Sequence, residues 1–132
     1  MASGRQRHIL FVEHDKNALS ATTAKLERLG YNVTAETESL TALRTFSEEP
    51  DRFDLAVLDH GIDELSGLEL ARRFRRIRPG FPVLLYTGHL DTPSAEQLEA
   101  AGIGFVIPKP ATLKKLAAAV QRALGEPAKS KP

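Results

Sequence analysis

Phe53-Asp54-Leu55-Ala56-Val57-Leu58-Asp59-His60-Gly61 is the stretch that decides the fold. Its centre, Leu55 to Leu58, is a short apolar run with no polar break, the pattern of a strand buried on both faces of a sheet. The run stops abruptly on Asp59. In open parallel sheets, ligands bind at the carboxyl ends of the strands, so a carboxylate placed there points to chemistry. The structural alternative is a helix-capping or turn aspartate.

Outward from this run the same alternation repeats. Upstream, His8 to Val12 reads as a first strand ending in Glu13-His14-Asp15. Asp15 is placed to cap a helix from Lys16 to Leu29, with Leu19, Thr22 or Thr23, Leu26 and Leu29 at helical spacing and Gly30 as its stop. Asn32 to Glu36 is a weaker second strand. Ser39 to Glu48 is a second helix with Leu40, Leu43 and Phe46 on one face, broken by Pro50-Asp51. Downstream, Ser66 and Glu69 form a capping box for a third helix whose face carries Leu70, Phe74 and Ile77, ended by Arg78-Pro79-Gly80. Pro82 to Thr87 is a fourth strand. Pro93 is placed in the first turn of a short fourth helix, about Ser94 to Ala101, stopped at Gly102. Phe105 to Ile107 is a fifth strand running into Pro108-Lys109-Pro110. Thr112 caps a fifth helix from Leu113 to Leu124, stopped by Gly125.

Five β-α units with short connections imply an α/β domain with a doubly wound parallel sheet and right-handed crossovers. A closed eight-stranded barrel needs about 250 residues, and this chain has 132. Residues 8–125 are expected to form the domain, with residues 1–7 and 126–132 as flexible ends.

Composition narrows the function classes. Net charge is +1, so no general field draws the chain to nucleic acid or a membrane surface. No apolar run approaches the ~20 residues of a membrane span, and the first residues lack the apolar core of a secretory signal. There is no cysteine, which removes disulfides, thiolate metal sites and thiol chemistry and fits a cytoplasmic setting. The arginines at 72, 73, 75, 76 and 78 read as a solvated helix face supported by Glu69, not as a nucleic-acid surface, because no aromatic interleaving accompanies them. His8, His60 and His89 show no ligand spacing.

Polar groups gather at one sheet edge: Glu13, His14 and Asp15 after strand one, Asp59 after strand three, Thr87 closing strand four, Lys109 after strand five. Singly, Thr87 is an ordinary strand-end hydroxyl, and Lys109 and His14 are ordinary surface groups. Together they suit phosphoryl transfer. A carboxylate attacks, neighbouring acids hold a divalent cation, and ammonium and hydroxyl groups stabilise the phosphoryl oxygens. Neither G-x-x-x-x-G-K-[ST] nor G-x-G-x-x-G occurs, which argues against a bound nucleotide.

Ile9-Leu10-Phe11-Val12-Glu13-His14-Asp15, Val57-Leu58-Asp59 with Gly67 eight residues on, Leu85-Tyr86-Thr87-Gly88 and Lys109-Pro110 resemble the receiver domains of two-component response regulators, over about residues 7–125. The resemblance implies the CheY-like strand order 2-1-3-4-5, a protein of this fold being a standard example of that order. It implies that Asp59 accepts a phosphoryl group from a sensor histidine kinase or a phosphotransfer protein, assisted by Thr87 and Lys109. It also implies a cis Lys109-Pro110 bond, and Mg2+ held by Glu13, Asp59 and the Gly61 backbone. A downstream protein would be met through the face of helix four, strand five and helix five. Such a chain is a phosphoacceptor that assists its own phosphorylation and dephosphorylation, not a turnover enzyme.

Three positions depart from the family pattern. His14 stands where a second carboxylate ligates magnesium, so Mg2+ binding is expected to be weak, with another divalent metal admitted and Asp15 as the substitute acid if the strand end is shifted by one. Asp63 replaces a common proline. Val106 occupies the place of the switch aromatic, and Phe105, one residue early, is expected to face the other side of the sheet. These departures keep a second function open, a pseudo-receiver that acts by protein interaction without phosphate. A third, small-molecule binding of the flavodoxin class, would need the Gly/Ser/Thr-rich phosphate loop that these strand ends lack.

Overall fold

The computed structural model describes residues 6–62, 64–88 and 92–126. Asp63 and His89 lie outside them, as do nearly all residues of the two ends expected to be flexible. Of those ends, Gln6 donates to the Gly30 carbonyl, and Arg7 pairs with Glu126 at 3.0 Å and with Asp54 at 3.6 Å.

Five strands and five helices alternate: β1 (His8–Val12), α1 (Lys16–Arg28), β2 (Asn32–Glu36), α2 (Ser39–Glu48), β3 (Leu55–Leu58), α3 (Gly67–Ile77), β4 (Val83–Thr87), α4 (Ala95–Ala101), β5 (Phe105–Pro108) and α5 (Leu113–Ala123), with one 3-10 turn at Pro50–Arg52. All pairings are parallel and the order is β2-β1-β3-β4-β5. This is the α/β, doubly wound arrangement that the alternating apolar runs require.

Strand periodicity divides the core in two. Leu10, Val12, Ala56, Leu58, Val83 and Leu85 face a cluster with Phe46, Phe53, Leu70, Phe74 and Phe81, on the side of α2 and α3. Ile9, Phe11, Leu55, Val57, Leu84, Tyr86 and Ile107 face the other cluster, with Leu26, Leu116 and Val120 of α1 and α5. Leu55 to Leu58 are completely buried, as a central strand covered on both faces must be.

Register is what brings the strand ends together. Val12 pairs with Leu58, and the Asp59 amide continues the ladder to the Val12 carbonyl at 3.0 Å. Thr87 pairs with Pro108, and the Lys109 amide donates to the Thr87 carbonyl at 3.0 Å. The Lys109-Pro110 bond is cis.

Four local expectations need correction. On α2, Leu40 is 49% exposed and Ala42 takes the buried position instead. On α3, Ile77 is 41% exposed, and the buried stripe is Leu70, Ala71 and Phe74. The covered stripe of each helix thus includes a small alanine beside the large Phe46 or Leu70 and Phe74, and Ile77 is the last residue of α3. Ser66 accepts from the Glu69 amide as a cap should, yet the Glu69 carboxylate does not return to Ser66; it holds Arg73 at 2.9 Å. Pro93 lies outside α4, whose N-cap is Ser94, with a reciprocal box to Gln97.

The arginine run is also less solvated than expected. Arg75 donates to the Phe81 carbonyl at 2.8 Å, and Arg78 donates to the Pro50 and Phe53 carbonyls at 2.9 and 2.6 Å while lying over the Phe81 ring. These two side chains satisfy carbonyls around the entries to β3 and β4 and are part of the fold.

Helix α4 has the fewest buried residues of the five helices. It has seven residues, with Ala101 its one buried residue and Leu98 packed partly against the core. Few apolar anchors mean a low free energy of local opening. Amides of α4 are therefore expected to exchange with deuterium faster than those of α1 and α3. Equal protection in the three helices would show that α4 is as firmly held as they are.

Candidate functional site

The site is built on the ends of β1, β3 and β5. Glu13 follows β1 and is 1% exposed; Asp59 follows β3 and is 5% exposed. Two carboxylates this deeply buried need partners, because an unpaired buried charge is costly. Lys109, delivered by the turn after β5, supplies the shared one. Its ammonium makes a short hydrogen bond to Glu13 Oε1 and stands 3.4 Å from Asp59 Oδ1. It also lies 5.5 Å from the centre of the Tyr86 ring.

Backbone donors complete the oxygens. The Asp15 amide donates to Glu13 Oε2 at 3.2 Å, and the Gly61 amide to Asp59 Oδ1 at 3.2 Å. The oxygen of each carboxylate that Lys109 does not take, Glu13 Oε2 and Asp59 Oδ2, faces His14. Its Nδ1 is 3.5 Å from Asp59 Oδ2 and 3.8 Å from Glu13 Oε2, and the side chain is half exposed. Lys109 and His14 thus flank the carboxylate pair on opposite sides.

The electrostatics follow from burial. Desolvation pushes the Glu13 carboxyl above its ordinary value, and the Asp59 charge adds to that; the Lys109 hydrogen bond and charge and the Asp15 amide offset it only in part. Burial opposes the charge on Lys109, but its hydrogen bond to Glu13 and the charges of Asp59 and Glu13 outweigh it, and the Lys109 pKa rises. The ammonium is therefore held firmly in its charged form.

Not every sequence-derived candidate joins this cluster. Among the described residues, Glu13, His14 and Asp59 are the group whose ligand atoms lie within 4.8 Å of one another. Asp15 is turned away: its Oδ1 caps α1 by accepting from the Asn17 and Ala18 amides at 2.9 and 3.1 Å. Thr87 is buried at the end of β4, and its hydroxyl makes a weak bond of 3.4 Å to the Gly88 carbonyl. Phe105 packs with the cluster of α1 and α5, and Val106, on the opposite side of β5, is 37% exposed.

Tyr86 was not singled out in the sequence. Its hydroxyl accepts from the Ala111 amide at 3.1 Å, which anchors the Lys109-Pro110-Ala111 turn from inside the core. Lys25 reaches the same turn through the Ala111 carbonyl at 3.2 Å. The available signal was a phenol inside a buried apolar run, since a buried tyrosine hydroxyl requires a partner.

A divalent cation fits this donor set in part. Two carboxylates suit magnesium, which prefers oxygen, whereas the imidazole at position 14 does not. No helix of the described residues is long and apolar enough to cross a membrane.

Comparison with known proteins agrees with this architecture. The response regulator receiver domain family matches residues 9–121. The transcriptional regulatory protein GlrR of Escherichia coli K12 is 29% identical over 126 residues, covering 96% of this chain and 28% of GlrR. The response regulator receiver protein CpdR of Brucella abortus is 30% identical over 118 residues, 89% of this chain and 97% of CpdR. The chain thus spans little more than a quarter of GlrR but nearly all of CpdR. Among solved structures, the receiver domain of the sensor histidine kinase PA1611 of Pseudomonas aeruginosa PAO1 holds a magnesium ion in its active-site cleft. It superposes with a TM-score of 0.80 at 26% identity, over 92% of this chain and 100% of that domain. Receivers of this family accept phosphoryl groups from histidine kinases. With five strands in the order 2-1-3-4-5 and buried acids at the ends of β1 and β3, the chain belongs to the response regulator receiver domain family.

Proposed function

We propose that the chain is a phospho-aspartate switch in a two-component phosphorelay, working in the cytoplasm, with Asp59 as the phosphoacceptor. The observation that carries this reading is the sharing of one ammonium, Lys109, between two buried carboxylates at the ends of β1 and β3. The pair keeps excess negative charge, which suits it to receive a cation, and it holds Asp59 in a fixed position with its Oδ2 toward the exposed side where His14 stands.

In the transfer, an Asp59 carboxylate oxygen forms a bond to phosphorus as the bond from phosphorus to the donor nitrogen of a phosphohistidine breaks. The electron pair of that bond stays with the imidazole leaving group. Lys109 is close enough to follow the new negative charge onto the phosphoryl oxygens, and Thr87 supplies a hydroxyl donor from β4. Bound at Glu13, Asp59 and the Gly61 carbonyl, a divalent cation would neutralise phosphoryl charge. Magnesium is the family's metal, and His14 makes it a weak one here. A sensor histidine kinase or a phosphotransfer protein is the donor, and the output partner docks on the α4-β5-α5 face.

The second reading, a pseudo-receiver, is favoured by His14 in the metal position and by Val106 where the switch aromatic stands. Acetyl phosphate with a divalent cation, followed by intact mass, separates the two. A single labile phosphoryl adduct is expected on the wild type and none on Asp59→Asn. An unmodified wild type, where an ordinary receiver is modified in parallel, would favour the pseudo-receiver. An adduct that persists on Asp59→Asn would place the site elsewhere.

A further inference from the structure

The side of the carboxylate pair away from Lys109 has a donor set of its own. Glu13 Oε2, Asp59 Oδ2 and His14 Nδ1 converge there, with the nitrogen 3.8 and 3.5 Å from the two oxygens. At bond lengths of about 2.1 Å to imidazole and carboxylate, neighbouring donors around a tetrahedral or octahedral metal stand about 3.0–3.4 Å apart. The two nitrogen–oxygen separations need only a few tenths of an ångström of closure, and all three donors lie within 4.8 Å of one another. The two oxygens are on buried, backbone-anchored side chains, while His14 is half exposed, so the donors are ordered on one side and open to solvent on the other.

We propose that Glu13, His14 and Asp59 form a mixed nitrogen-oxygen site that favours first-row transition metals such as cobalt, nickel and zinc over magnesium. The proposal rests on the receiver reading of the same residues and changes its metal. The reason is ligand chemistry. Magnesium is small, hard and reluctant to shed water, and gains little from an imidazole. Cobalt, nickel and zinc accept imidazole readily, and their affinities for such sites rise along the divalent series. Asp15 cannot restore an all-oxygen set without leaving the N-cap of α1, where it satisfies two amides.

The test is binding to the full chain without phosphodonor, in mildly alkaline buffer, by calorimetry with cobalt and magnesium in separate titrations. Visible absorption of the cobalt complex reports whether nitrogen enters its coordination sphere. The wild type is expected to bind cobalt at least about 100-fold tighter than magnesium. His14→Asp is expected to narrow that ratio about tenfold or more, mainly by gaining magnesium affinity, and to shift the cobalt spectrum. His14→Asn should lose cobalt affinity without gaining magnesium. An unchanged cobalt-to-magnesium ratio in His14→Asp, or a cobalt spectrum indifferent to both substitutions, would overturn the proposal. Failure of the receiver reading is a separate result, the absence of an adduct on Asp59 whichever metal is supplied.

Discussion

Lys109→Met is expected to lose about 2–3 kcal/mol of folding stability near neutral pH and to recover part of it in acid. Removing one partner of a fully buried ion pair costs about 3–5 kcal/mol; the lower figure reflects a Lys109 side chain that is about a quarter exposed. The methionine keeps most of the aliphatic stem, so the loss is mainly electrostatic. Glu13 and Asp59 are left as two buried carboxylates with no cation between them.

The direction with pH follows from Glu13. Its carboxyl is already raised by burial, and Lys109 contributes two of the effects that hold it down. In the variant those disappear, and burial and the Asp59 charge drive it higher. The folded form then binds the Glu13 proton more tightly than the unfolded chain does. Ionising the group costs stability as pH rises, and the deficit shrinks as pH falls through the raised value toward the ordinary carboxylate range, about 4.3. Denaturation of both proteins should therefore give a difference that is largest near pH 8 and clearly smaller near pH 5, in the absence of divalent cations. A difference constant across that window would mean that Lys109 acts through packing, not charge. The wild type carries the complementary signature at high pH. The raised Lys109 pKa contributes stability that is fully present below the ordinary lysine value, about 10.4, and lost as pH rises through the folded value.

The electrostatic core of the site was legible because strand ends are marked by abrupt changes of residue type. Leu58 to Asp59 and Val12 to Glu13 are such changes, and parallel register brings them together. Lys109 was legible for the same reason after β5. What local sequence could not show was where long side chains go. Glu69 stands where a capping box predicts a return to Ser66, but Arg73 one turn later is a stronger partner for a carboxylate. Arg75 and Arg78 look solvated because their acceptors, the Phe81, Pro50 and Phe53 carbonyls, appear only when α3, β3 and β4 are assembled. Leu40 and Ile77 illustrate a different limit. Helical spacing suggests a face, and the assembled sheet then decides which of its residues are covered: Ala42 and not Leu40 on α2, and Leu70, Ala71 and Phe74 but not the terminal Ile77 on α3. Asp15, by contrast, could be read locally as a cap, since its partners are the next two amides along the chain after Lys16.

Gly67→Ala is the substitution expected to disturb both fold and site at once. Gly67 opens α3, where an added methyl would ordinarily favour the helix by up to about 1 kcal/mol. Here the space is occupied. A Cβ would stand 2.8 Å from the Asp59 carbonyl oxygen, 3.0 Å from the His60 Cα and 3.0 Å from Leu85 Cδ1. Two of these atoms are backbone, and Leu85 is fully buried, so none can step aside cheaply. Overpacking of this kind costs about 1–3 kcal/mol, and the upper part of that range is expected because the obstacle is main chain. Relief requires α3 to move off the end of β3, which drags the Asp59-His60 backbone with it. The variant should therefore be less stable by about 2 kcal/mol and slower to take up a phosphoryl group from acetyl phosphate. Gly104→Ala is the control, since nothing lies within 4 Å of a Cβ there, and its stability should stay within about 0.5 kcal/mol of the wild type. A Gly67→Ala protein with wild-type stability and wild-type rate of Asp59 modification would show that the β3-α3 junction yields freely, and that the close approach of Gly67 to Asp59 does not position the acceptor.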